Sequence, residues 1–299
     1  MNRTDSLRQT LARRALLGDG ATGTQLQSMG LKPGACGEFW NTVHPDRVRE
    51  LHRRYVTAGA DLLTTNTFGA NAFVLGHHCA ADRGRELNVA GAQLARELAG
   101  DAAWVLGDVG PFGGMLEPLG ETLPEDAAKA FRDQAAALLE GGADAILVET
   151  MSDPVEMALA IGAAQAAGAT LVIATYAFQK SAVGLRTMMG TTVAAAVAAA
   201  LAAGADVVGA NCGTDLSLGD YEKLAAELVA AAKGNPVIVQ PNAGSPILRE
   251  GRISYAESAA LFAAAAPRLL GAGARLIGGC CGSTPEHIAA MRPVVKPTG

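Results

Sequence analysis

The sequence predicts a (β/α)8 barrel of the TIM type, and three observations support this prediction. Short, nearly continuous apolar runs recur along the 299 residues, and a longer segment with a helical pattern follows each of them. Three runs are preceded by nearly the same four letters, AGAD at 58–61, GGAD at 141–144 and AGAD at 203–206. Polar and glycine residues gather where the runs end, which is the end of the strands that carries the active site of a barrel. A doubly wound open sheet is the alternative fold.

The apolar runs number eight, as an eight-stranded barrel requires. In chain order they read ALLGDG, DLLTTNTF, WVLGDVGP, AILVETM, TLVIATYAF, DVVGANC, PVIVQPNAG and RLIGGCCGS. The intervening segments have helix signals: in HPDRVRELHRRYVTAG, Pro45 stands in the first turn, apolar residues recur on one face, and Gly59 permits the left-handed end. No linker divides the chain, so we predict one domain over residues 1–299, with residues 1–14 as an N-terminal helical extension.

The composition argues against nucleic-acid and membrane functions. The formal net charge is −5, and the lysines and arginines do not form the basic patch that a phosphate backbone requires. No apolar run reaches the length of a membrane span, and the N-terminus lacks the apolar core of a signal peptide. We therefore expect a cytoplasmic protein without nucleic-acid or membrane partners.

The motif GDGATG at 18–23 fits the G-x-G-x-x-G pattern of dinucleotide-binding loops. Such a site also needs an acidic residue at the end of the second strand, about 20 residues further on. Glu38 stands at that distance, but its segment GACGEFWNT has the character of a loop, and the next strand ends near Phe68. We therefore interpret GDGATG as a flexible loop that lets the backbone approach a small ligand.

Two of the five cysteines, Cys280 and Cys281, stand side by side in LIGGCCGSTPEHI. Three interpretations compete: ordinary core cysteines, a strained vicinal disulfide, or two ligands of one metal ion. The flanking glycines contribute no packing, and the end of the eighth run lies on the expected active-site face, which weakens the first interpretation. In a reducing compartment, metal binding, catalysis or inert burial is more common than a disulfide.

Cys212 ends the sixth run in GANCGT, and in a barrel this strand is the next but one to the eighth. The sulfur atoms of Cys212, Cys280 and Cys281 could therefore converge at the barrel mouth, where thiolates suit Zn²⁺. Three protein ligands leave one tetrahedral position open, as in catalytic zinc sites. A substrate thiol in that position would lose its proton and become a nucleophile.

Several segments resemble the homocysteine S-methyltransferase family, from about residue 14 to residue 292. They are GDGATGT, HPDRVRELHRRYVTAGADLLTTNTFGAN, GDVGP, ILVETMSD, GANCG, PNAGSP and GGCCGSTPEHI. The likeness is closest to the homocysteine-binding module of cobalamin-dependent methionine synthases, and the Cys-Cys motif with N-C-G upstream is its most specific part. The resemblance implies a (β/α)8 barrel, in agreement with the eight runs, and a zinc-dependent methyl transfer to the thiol of homocysteine that gives methionine.

The resemblance also implies roles for individual residues. Cys212, Cys280 and Cys281 would be the zinc ligands and would carry the catalysis. Asp19 and Glu149 would hold the amino acid part of homocysteine. The chemistry agrees, because two carboxylates can pair with the substrate ammonium and backbone N–H groups of the glycine-rich first loop can receive its carboxylate.

Three further residues are candidates for the substrate site. Thr24 and Asn66 are assigned either to substrate contact or to loop bracing. Asn242 is assigned either to ligand orientation or to capping of the turn after the seventh run. His287 stands at the start of the last helix, where we interpret it as a helix-start residue rather than a zinc ligand.

The methyl donor stays open between a methylated corrinoid and a small onium compound such as S-methylmethionine, S-adenosylmethionine or betaine. The corrinoid-binding pattern D-x-H-x-x-G is absent from the sequence, so methylcobalamin would be supplied in trans, free or on a partner protein. An onium donor would favour an aromatic cage. The aromatic residues near the run ends are few: Phe39, Trp40, Phe68, Phe112, Tyr176 and Phe178.

Other functions compete with methyl transfer to homocysteine. The barrel could be a structural or sensing zinc module, with Cys36 or with Cys79, which follows His77 and His78, as a fourth ligand. The chain could also methylate another thiol. A redox switch through a disulfide between the adjacent cysteines is a further alternative.

Overall fold

The apolar runs form the parallel strands of one sheet in a computed structural model that describes residues 2–249 and 252–297. The strands of the described residues are β1 (Leu16–Leu17), β2 (Leu62–Thr64), β3 (Trp104–Val109), β4 (Ala145–Met151), β5 (Val172–Tyr176), β6 (Phe178–Ser181), β7 (Gly184–Thr187), β8 (Val207–Asn211), β9 (Val237–Gln240), β10 (Pro246–Arg249), β11 (Arg252–Tyr255) and β12 (Leu276–Ile277). Eight of them are hydrogen-bonded in the order β1, β12, β9, β8, β5, β4, β3 and β2. Because this order follows the chain around a ring, the predicted (β/α)8 barrel is confirmed rather than the doubly wound open sheet.

Helices alternate with the strands and pack around the barrel. They are α1 (Arg3–Arg13), α2 (Gly23–Ser28), α3 (Trp40–Val43), α4 (Pro45–Ala58), α5 (Ala72–Gly76), α6 (Gly84–Ala99), α7 (Pro124–Glu140), α8 (Pro154–Ala166), α9 (Val193–Ala202), α10 (Leu218–Ala232), α11 (Ala259–Gly271) and α12 (Pro285–Val295), with short 3-10 helices at Gly37–Phe39 and Ala81–Arg83. Helix α4 starts at Pro45 and ends at Ala58, and the capping residue Gly59 has a left-handed φ of 98°, as predicted. Within the described ranges, no helix combines the length and apolarity needed to cross a membrane.

The ring closes between β1 and β2 with the help of two carboxylates. At the lower end of this seam, the Asp61 N–H donates to the Leu17 carbonyl (2.7 Å), and Asp61 Oδ2 accepts the Leu17 N–H (2.9 Å). At the upper end, Asp19 accepts the Thr64 N–H at Oδ2 (2.7 Å) and the Thr64 hydroxyl at Oδ1 (2.8 Å). Asp19 therefore has a structural task at the seam.

Helix α1 covers the N-terminal end of the barrel strands. Its Leu7 and Leu11 are buried in a cluster with the first apolar residues of the strands, among them Leu16 and Leu62. The apolar face of α1 thus shields the bottom of the barrel interior from water, which favours folding in proportion to the apolar area removed from water.

The aspartates that end the AGAD, GGAD and AGAD sequences lie at this same end. Asp61, Asp144 and Asp206 each accept a backbone N–H from a neighbouring strand. The donors are, in order, Leu17, Val105 and Val172, at 2.9, 2.8 and 2.8 Å. Each aspartate also pairs with an arginine of the N-terminal segment, in order Arg14, Arg3 and Arg8, at 2.8, 3.0 and 2.8 Å. The repeated sequence therefore fixes both a turn and an ion pair.

Two hairpins extend the opposite, C-terminal end of the barrel. Strands β6 and β7 pair antiparallel directly after β5, and β10 and β11 pair antiparallel after β9. Pro246 and Tyr255 of the second hairpin line the cavity that opens at this end. The hairpins thus belong to the loops that surround the candidate site.

Candidate metal centre and substrate cavity

Three cysteine thiols converge at the C-terminal end of the barrel. Cys212 directly follows β8, and Cys280 and Cys281 follow β12. Their sulfur atoms lie within 4.8 Å of one another, and those of Cys212 and Cys281 are 4.0 Å apart. The φ angles of 52° at Cys212 and 98° at Gly213 turn the chain sharply at the strand end. The structure therefore brings together the three thiols whose convergence the run order predicts.

The three thiols fit a zinc ion. Zn–S bonds of about 2.3 Å in tetrahedral geometry place sulfur atoms roughly 3.8 Å apart, close to the separation between Cys212 and Cys281. Among the described residues, no histidine or carboxylate oxygen joins this group. The set therefore offers a metal ion three soft ligands and leaves one tetrahedral position for another ligand.

The other candidate ligands have different surroundings. The Cys36 thiol donates to Glu38 Oε2 (3.1 Å), and Cys79 is exposed on the turn after α5. The His287 ring accepts the Thr284 N–H at Nδ1 (3.2 Å) in the first turn of α12, as a helix-start residue does. None of these side chains belongs to the thiol cluster.

The three thiols share their protons unequally. Hydrogen bonds from Cys280 and then from Cys281 lower the pKa of Cys212 to about 3, and the Asn242 amide contributes in the same direction. The same contact with Cys212 raises the pKa of Cys280, and it raises that of Cys281 to about 12. The cluster therefore holds a thiolate at neutral pH, which favours a cation.

The Asn211 side chain connects the thiols to β4. Its Oδ1 accepts the Thr150 N–H (2.9 Å), and its Nδ2 donates to Glu149 Oε2 (3.0 Å) and approaches Cys280 Sγ at 3.7 Å. Asn211 was not among the sequence candidates, although it precedes Cys212 in N-C-G. A polar residue that directly precedes a ligand at a buried strand end is the signal that could have indicated it.

Asn242 contacts the thiol of Cys212. Its Nδ2 donates to the Gly213 carbonyl (3.0 Å) and approaches Cys212 Sγ at 3.8 Å. The sequence leaves two roles open for Asn242, orientation of a ligand or capping of the turn after β9, and the contact with Cys212 agrees with the first. Such contacts hold a ligand in one orientation.

A cavity of about 570 Å³ opens beside the thiols, and all three cysteines line it. Among the predicted substrate residues, Thr24, Asn66 and Glu149 line it as well. Asp19 and Asn242 are buried and do not line it. Asn66 also donates to the Gly37 carbonyl (2.9 Å), so it braces the loop after β1. The structure thus brings three of the five predicted substrate residues to the cavity wall, and the other two are buried behind it.

The charged groups of this wall are acidic. Glu38, Asp108 and Glu149 line the cavity, and among its described lining residues there is no lysine, arginine or histidine. Burial, and then the charges of Cys212 and Asp19, raise the pKa of Glu149 to about 8. Burial likewise raises the pKa of Asp19 to about 7, although its hydrogen bonds from Thr64 oppose this. A cation bound beside these carboxyl groups would lower their pKa values again and favour their charged form.

Residues 16–295 match the family model described as Homocysteine S-methyltransferase. The chain belongs to the homocysteine S-methyltransferase family. The family inferred from the sequence motifs is thereby confirmed, and the three-thiol cluster lies within the matched residues.

Curated relatives include two methionine synthases of mycobacteria. That of Mycobacterium leprae (strain TN) is 36% identical over 309 residues, covering 98% of this chain and 25% of the relative. That of Mycobacterium tuberculosis (strain ATCC 25618 / H37Rv) is 36% identical over 315 residues, with the same coverage. The chain therefore spans about a quarter of the length of the curated relatives it matches.

Solved structures of the homocysteine methyltransferase MmuM from Escherichia coli share the fold. The metallated form superposes with a TM-score of 0.79 at 24% identity and covers 96% of this chain and 99% of that chain. The oxidized form gives a TM-score of 0.78 at 26% identity and covers 98% and 100%. The common barrel extends over nearly all of both proteins.

Proposed function

We propose that the chain transfers a methyl group to the thiol of homocysteine, giving methionine, at a zinc ion held by Cys212, Cys280 and Cys281. The observation that carries this proposal is the convergence of three thiols beside an acidic cavity in a member of this family. Bound there, a zinc ion would supply the positive charge that binds the substrate sulfur and keeps it deprotonated.

The chain's own contribution is to hold the ligands and to position the substrate. Asn211 links Cys280 to Glu149, and Asn242 contacts Cys212. These contacts hold the three thiols in a fixed position relative to the cavity wall. Positioning of this kind lowers the barrier because the reacting atoms meet without further loss of freedom. Methyl transfer between the sulfur and its donor needs no acid–base group acting on the methyl carbon.

The amino acid part of homocysteine would bind to the wall formed by the loops after β1, β2 and β4. Within this proposal, Asp19 and Glu149 attract the ammonium group, and backbone N–H groups of the loop after β1 receive the carboxylate. Thr24 and Asn66 line the same cavity and would contact the substrate. Asn242 would act through Cys212.

The donor in this proposal is a methylated corrinoid such as methylcobalamin, free or carried by another protein. Two observations support it: the curated relatives are methionine synthases, and an aromatic cage for an onium compound is poorly developed. Of the aromatic residues near the run ends, only Phe68 lines the cavity, joined by Tyr255. Phe112, Tyr176 and Phe178 are buried in the core. Small onium donors are the alternative.

A donor panel tests the proposal. Zinc-loaded protein would receive homocysteine with methylcobalamin, S-methylmethionine, S-adenosylmethionine or betaine, and methionine would be measured by mass spectrometry. We expect methionine from one donor, loss of product after chelation, and recovery when Zn²⁺ is added back. Equal product from the chelated protein would contradict the proposal. Absence of product from every donor would exclude a free donor of this panel and point to a corrinoid carried by another protein or to another acceptor thiol.

X-ray absorption at the zinc edge distinguishes catalysis from a structural or sensing role. We expect three sulfur ligands and one lighter atom in the zinc-loaded protein, and four sulfur ligands after homocysteine is added. Four sulfur ligands before homocysteine is added would favour a closed structural site. An unchanged spectrum after addition would favour another acceptor thiol.

A further inference from the structure

A second cavity lies between helices on the outer side of the barrel. Its volume is about 400 Å³, within the range of small-molecule sites. Its lining comes from the segment at the start of α5, the short helix Ala81–Arg83, α6 and α7, and small residues, chiefly alanine, form much of the wall. It shares no described lining residue with the cavity beside the thiols. The proposed methyl transfer therefore does not use this cavity.

Two buried amides of this wall have oxygen atoms without a hydrogen-bond donor. Asn88 of α6 and Gln134 of α7 line the cavity, and the two residues are 0% and 2% exposed. No described residue donates a hydrogen bond to Asn88 Oδ1 or to Gln134 Oε1. A buried acceptor without a donor reduces the stability of the fold unless another molecule supplies the donor.

The contacts of the amide nitrogens determine how each amide is oriented. Asn88 Nδ2 donates to the carbonyls of Ala70 and Gly84, at 2.7 Å each. Gln134 Nε2 donates to the Thr67 carbonyl, also at 2.7 Å. Flipping either amide would place its oxygen against a carbonyl oxygen, so the unpartnered atoms are acceptors. A partner for these two oxygens must therefore bring N–H or O–H donors.

The rim of the second cavity is acidic. Asp82, Asp133 and Glu140 are exposed lining residues, and Arg85 is the single basic residue in the described lining. Arg85 contacts Glu140, and Lys129, from outside the lining, contacts Asp133 at 2.6 Å. The carboxylates of the rim thus outnumber the basic side chains that contact them. This charge favours a cation over an anion.

We propose that the second cavity binds a small organic cation with several N–H donors, an aliphatic amine or a guanidinium compound. Its N–H groups would donate to the oxygens of Asn88 and Gln134, and the carboxylates of the rim would attract its charge. Ammonium and guanidinium groups have donors and no acceptor, so they match a wall whose unpartnered buried groups are acceptors. The inference does not rest on the proposed methyl transfer.

Calorimetric titration of the zinc-loaded wild type with putrescine and with agmatine tests this site. Tetramethylene glycol, the diol of the same length as putrescine, and succinate are the ligand controls. We expect one or both amines to bind more tightly than the diol by about 10- to 100-fold, the range of a hydrogen bond to a charged group, and succinate not to bind. If neither amine bound more tightly than the diol, the inference would be wrong.

Ala136→Leu separates binding in the cavity from attraction to the acidic surface. Ala136 is an exposed residue of α7 that lines the cavity, so leucine should obstruct the cavity while the charge stays the same and the helix is kept. We expect the affinity for the amine to fall by at least about 10-fold. Ala226→Leu, at an exposed position of α10 outside both cavities, should bind like the wild type. Equal binding by the two variants would overturn the inference.

A crystal structure of the wild type with the amine tests the contacts without a variant. We expect a ligand nitrogen within hydrogen-bond distance of Asn88 Oδ1 or Gln134 Oε1. Water at both oxygens, with the amine bound elsewhere, would overturn the inference even if Ala136→Leu failed to fold. Neither measurement depends on methyl transfer, so a negative result would leave the proposed function intact.

Discussion

Carboxylates occur at both ends of this barrel, but those of the AGAD and GGAD sequences pair with basic side chains, whereas those that line the cavity have no such partner among the described residues. At the N-terminal end, the aspartates of the AGAD and GGAD sequences each contact an arginine of the N-terminal segment and a backbone N–H of a neighbouring strand. The cavity at the C-terminal end is also lined by carboxylates, yet its described lining includes no lysine, arginine or histidine. The aspartates of these three sequences are thus paired with protein cations, and the carboxylates of the cavity wall are not, among the residues that the structure describes.

The pKa values of two aspartates show what this difference means. Burial raises the pKa of Asp61, but hydrogen bonds from Arg14, from the Leu17 N–H and from Lys296 more than offset it, so the pKa is lowered. For Asp108, burial and the charge of Glu149 both raise the pKa. A buried carboxylate that is paired with a cation can be kept in its charged form in the fold. A buried carboxylate without a partner reduces stability, and such residues are typical of sites where a ligand supplies the missing partner.

Loss of one thiol should have the largest effect at the C-terminal end. Cys280→Ser removes a soft ligand from the three-thiol cluster, and we expect zinc retention and methyl transfer to fall together. The loss of kcat/KM should exceed about 100-fold, because even residues that only support a metal ligand contribute 10- to 100-fold. Zinc content by elemental analysis and methionine formation measure the two effects.

Cys79→Ser is the matched control, because Cys79 is exposed and lies outside the cluster. It should retain zinc and activity. If Cys280→Ser kept full zinc content and full activity, the assignment of the metal site would be wrong. Both variants should unfold at similar urea concentrations when zinc is removed by chelation.

At the N-terminal end, the largest expected effect is on stability rather than on activity. Asp61→Asn removes the negative charge that Arg14 and Lys296 contact at 2.8 Å each. Breaking such a buried pair should reduce the free energy of unfolding by about 3 kcal/mol. Urea denaturation measures this loss, and kcat/KM of the folded protein should stay within about twofold, since an isolated change at this end reaches no cavity residue.

Glu50→Gln provides the control for Asp61→Asn. Glu50 pairs with Arg54 on the exposed surface of α4 at 2.9 Å, so its loss should cost less than about 1 kcal/mol. If both variants lost equal stability, burial would not explain the strength of the pairs at the N-terminal end.

His52 is a buried titratable group without a hydrogen-bond partner among the described residues, and it lies in a helix outside the barrel rather than at either end of the strands. It is buried in α4, both ring nitrogens lack partners among the described residues, and burial lowers its pKa to about 4. Because the folded pKa lies below the unfolded value of about 6.5, the unfolded chain takes up the proton first and stability falls as the pH decreases. Between about pH 7 and about pH 5, His52 should account for about 2 kcal/mol of this decrease.

His52→Leu should remove that part of the pH dependence. The measurement is urea denaturation at several pH values, compared with wild type and with His77→Gln, whose histidine is exposed. Equal acid slopes for wild type and His52→Leu would show that His52 is protonated in the folded protein or has a partner such as water.

The barrel and its thiol cluster were predictable because their signals are local or follow from topology. Each strand is a continuous apolar run, and the order of eight strands in a ring brings Cys212 close to Cys280 and Cys281. The two hairpins were not predicted, because TYAFQKSAVGLRTMMGTT and the segment after PNAG contain few alternating apolar residues. Their strands pair antiparallel.

Contacts between side chains that are far apart in the chain could not be predicted from the sequence. The glycine of an AGAD sequence predicts a left-handed helix end, as at Gly59, but nothing local to Asp144 indicates that Arg3, on a helix 141 residues away, will contact it. In the same way, Asp19 and Asp108 are both acids at strand ends. Only the structure distinguishes the aspartate that Thr64 engages from the one that has no donor among the described residues.

The smallest expected effect tests whether pairing at the N-terminal end depends on burial. Asp206 is more exposed than Asp61, at 27% against 4% of the side chain, and its partner Arg8 is 44% exposed. Water therefore screens this pair, and Arg8→Ala should lower the free energy of unfolding by less than about 1 kcal/mol. Part of that loss would come from the Arg8 contact with the Thr170 carbonyl. Both variants, Arg8→Ala and Asp61→Asn, would be measured in the same urea experiment. If Arg8→Ala lowered the free energy of unfolding by about 3 kcal/mol, α1 would dock as a unit, and each arginine would hold the whole helix in place. A loss below about 1 kcal/mol would mean that the burial of each aspartate determines how much its ion pair with arginine contributes to stability.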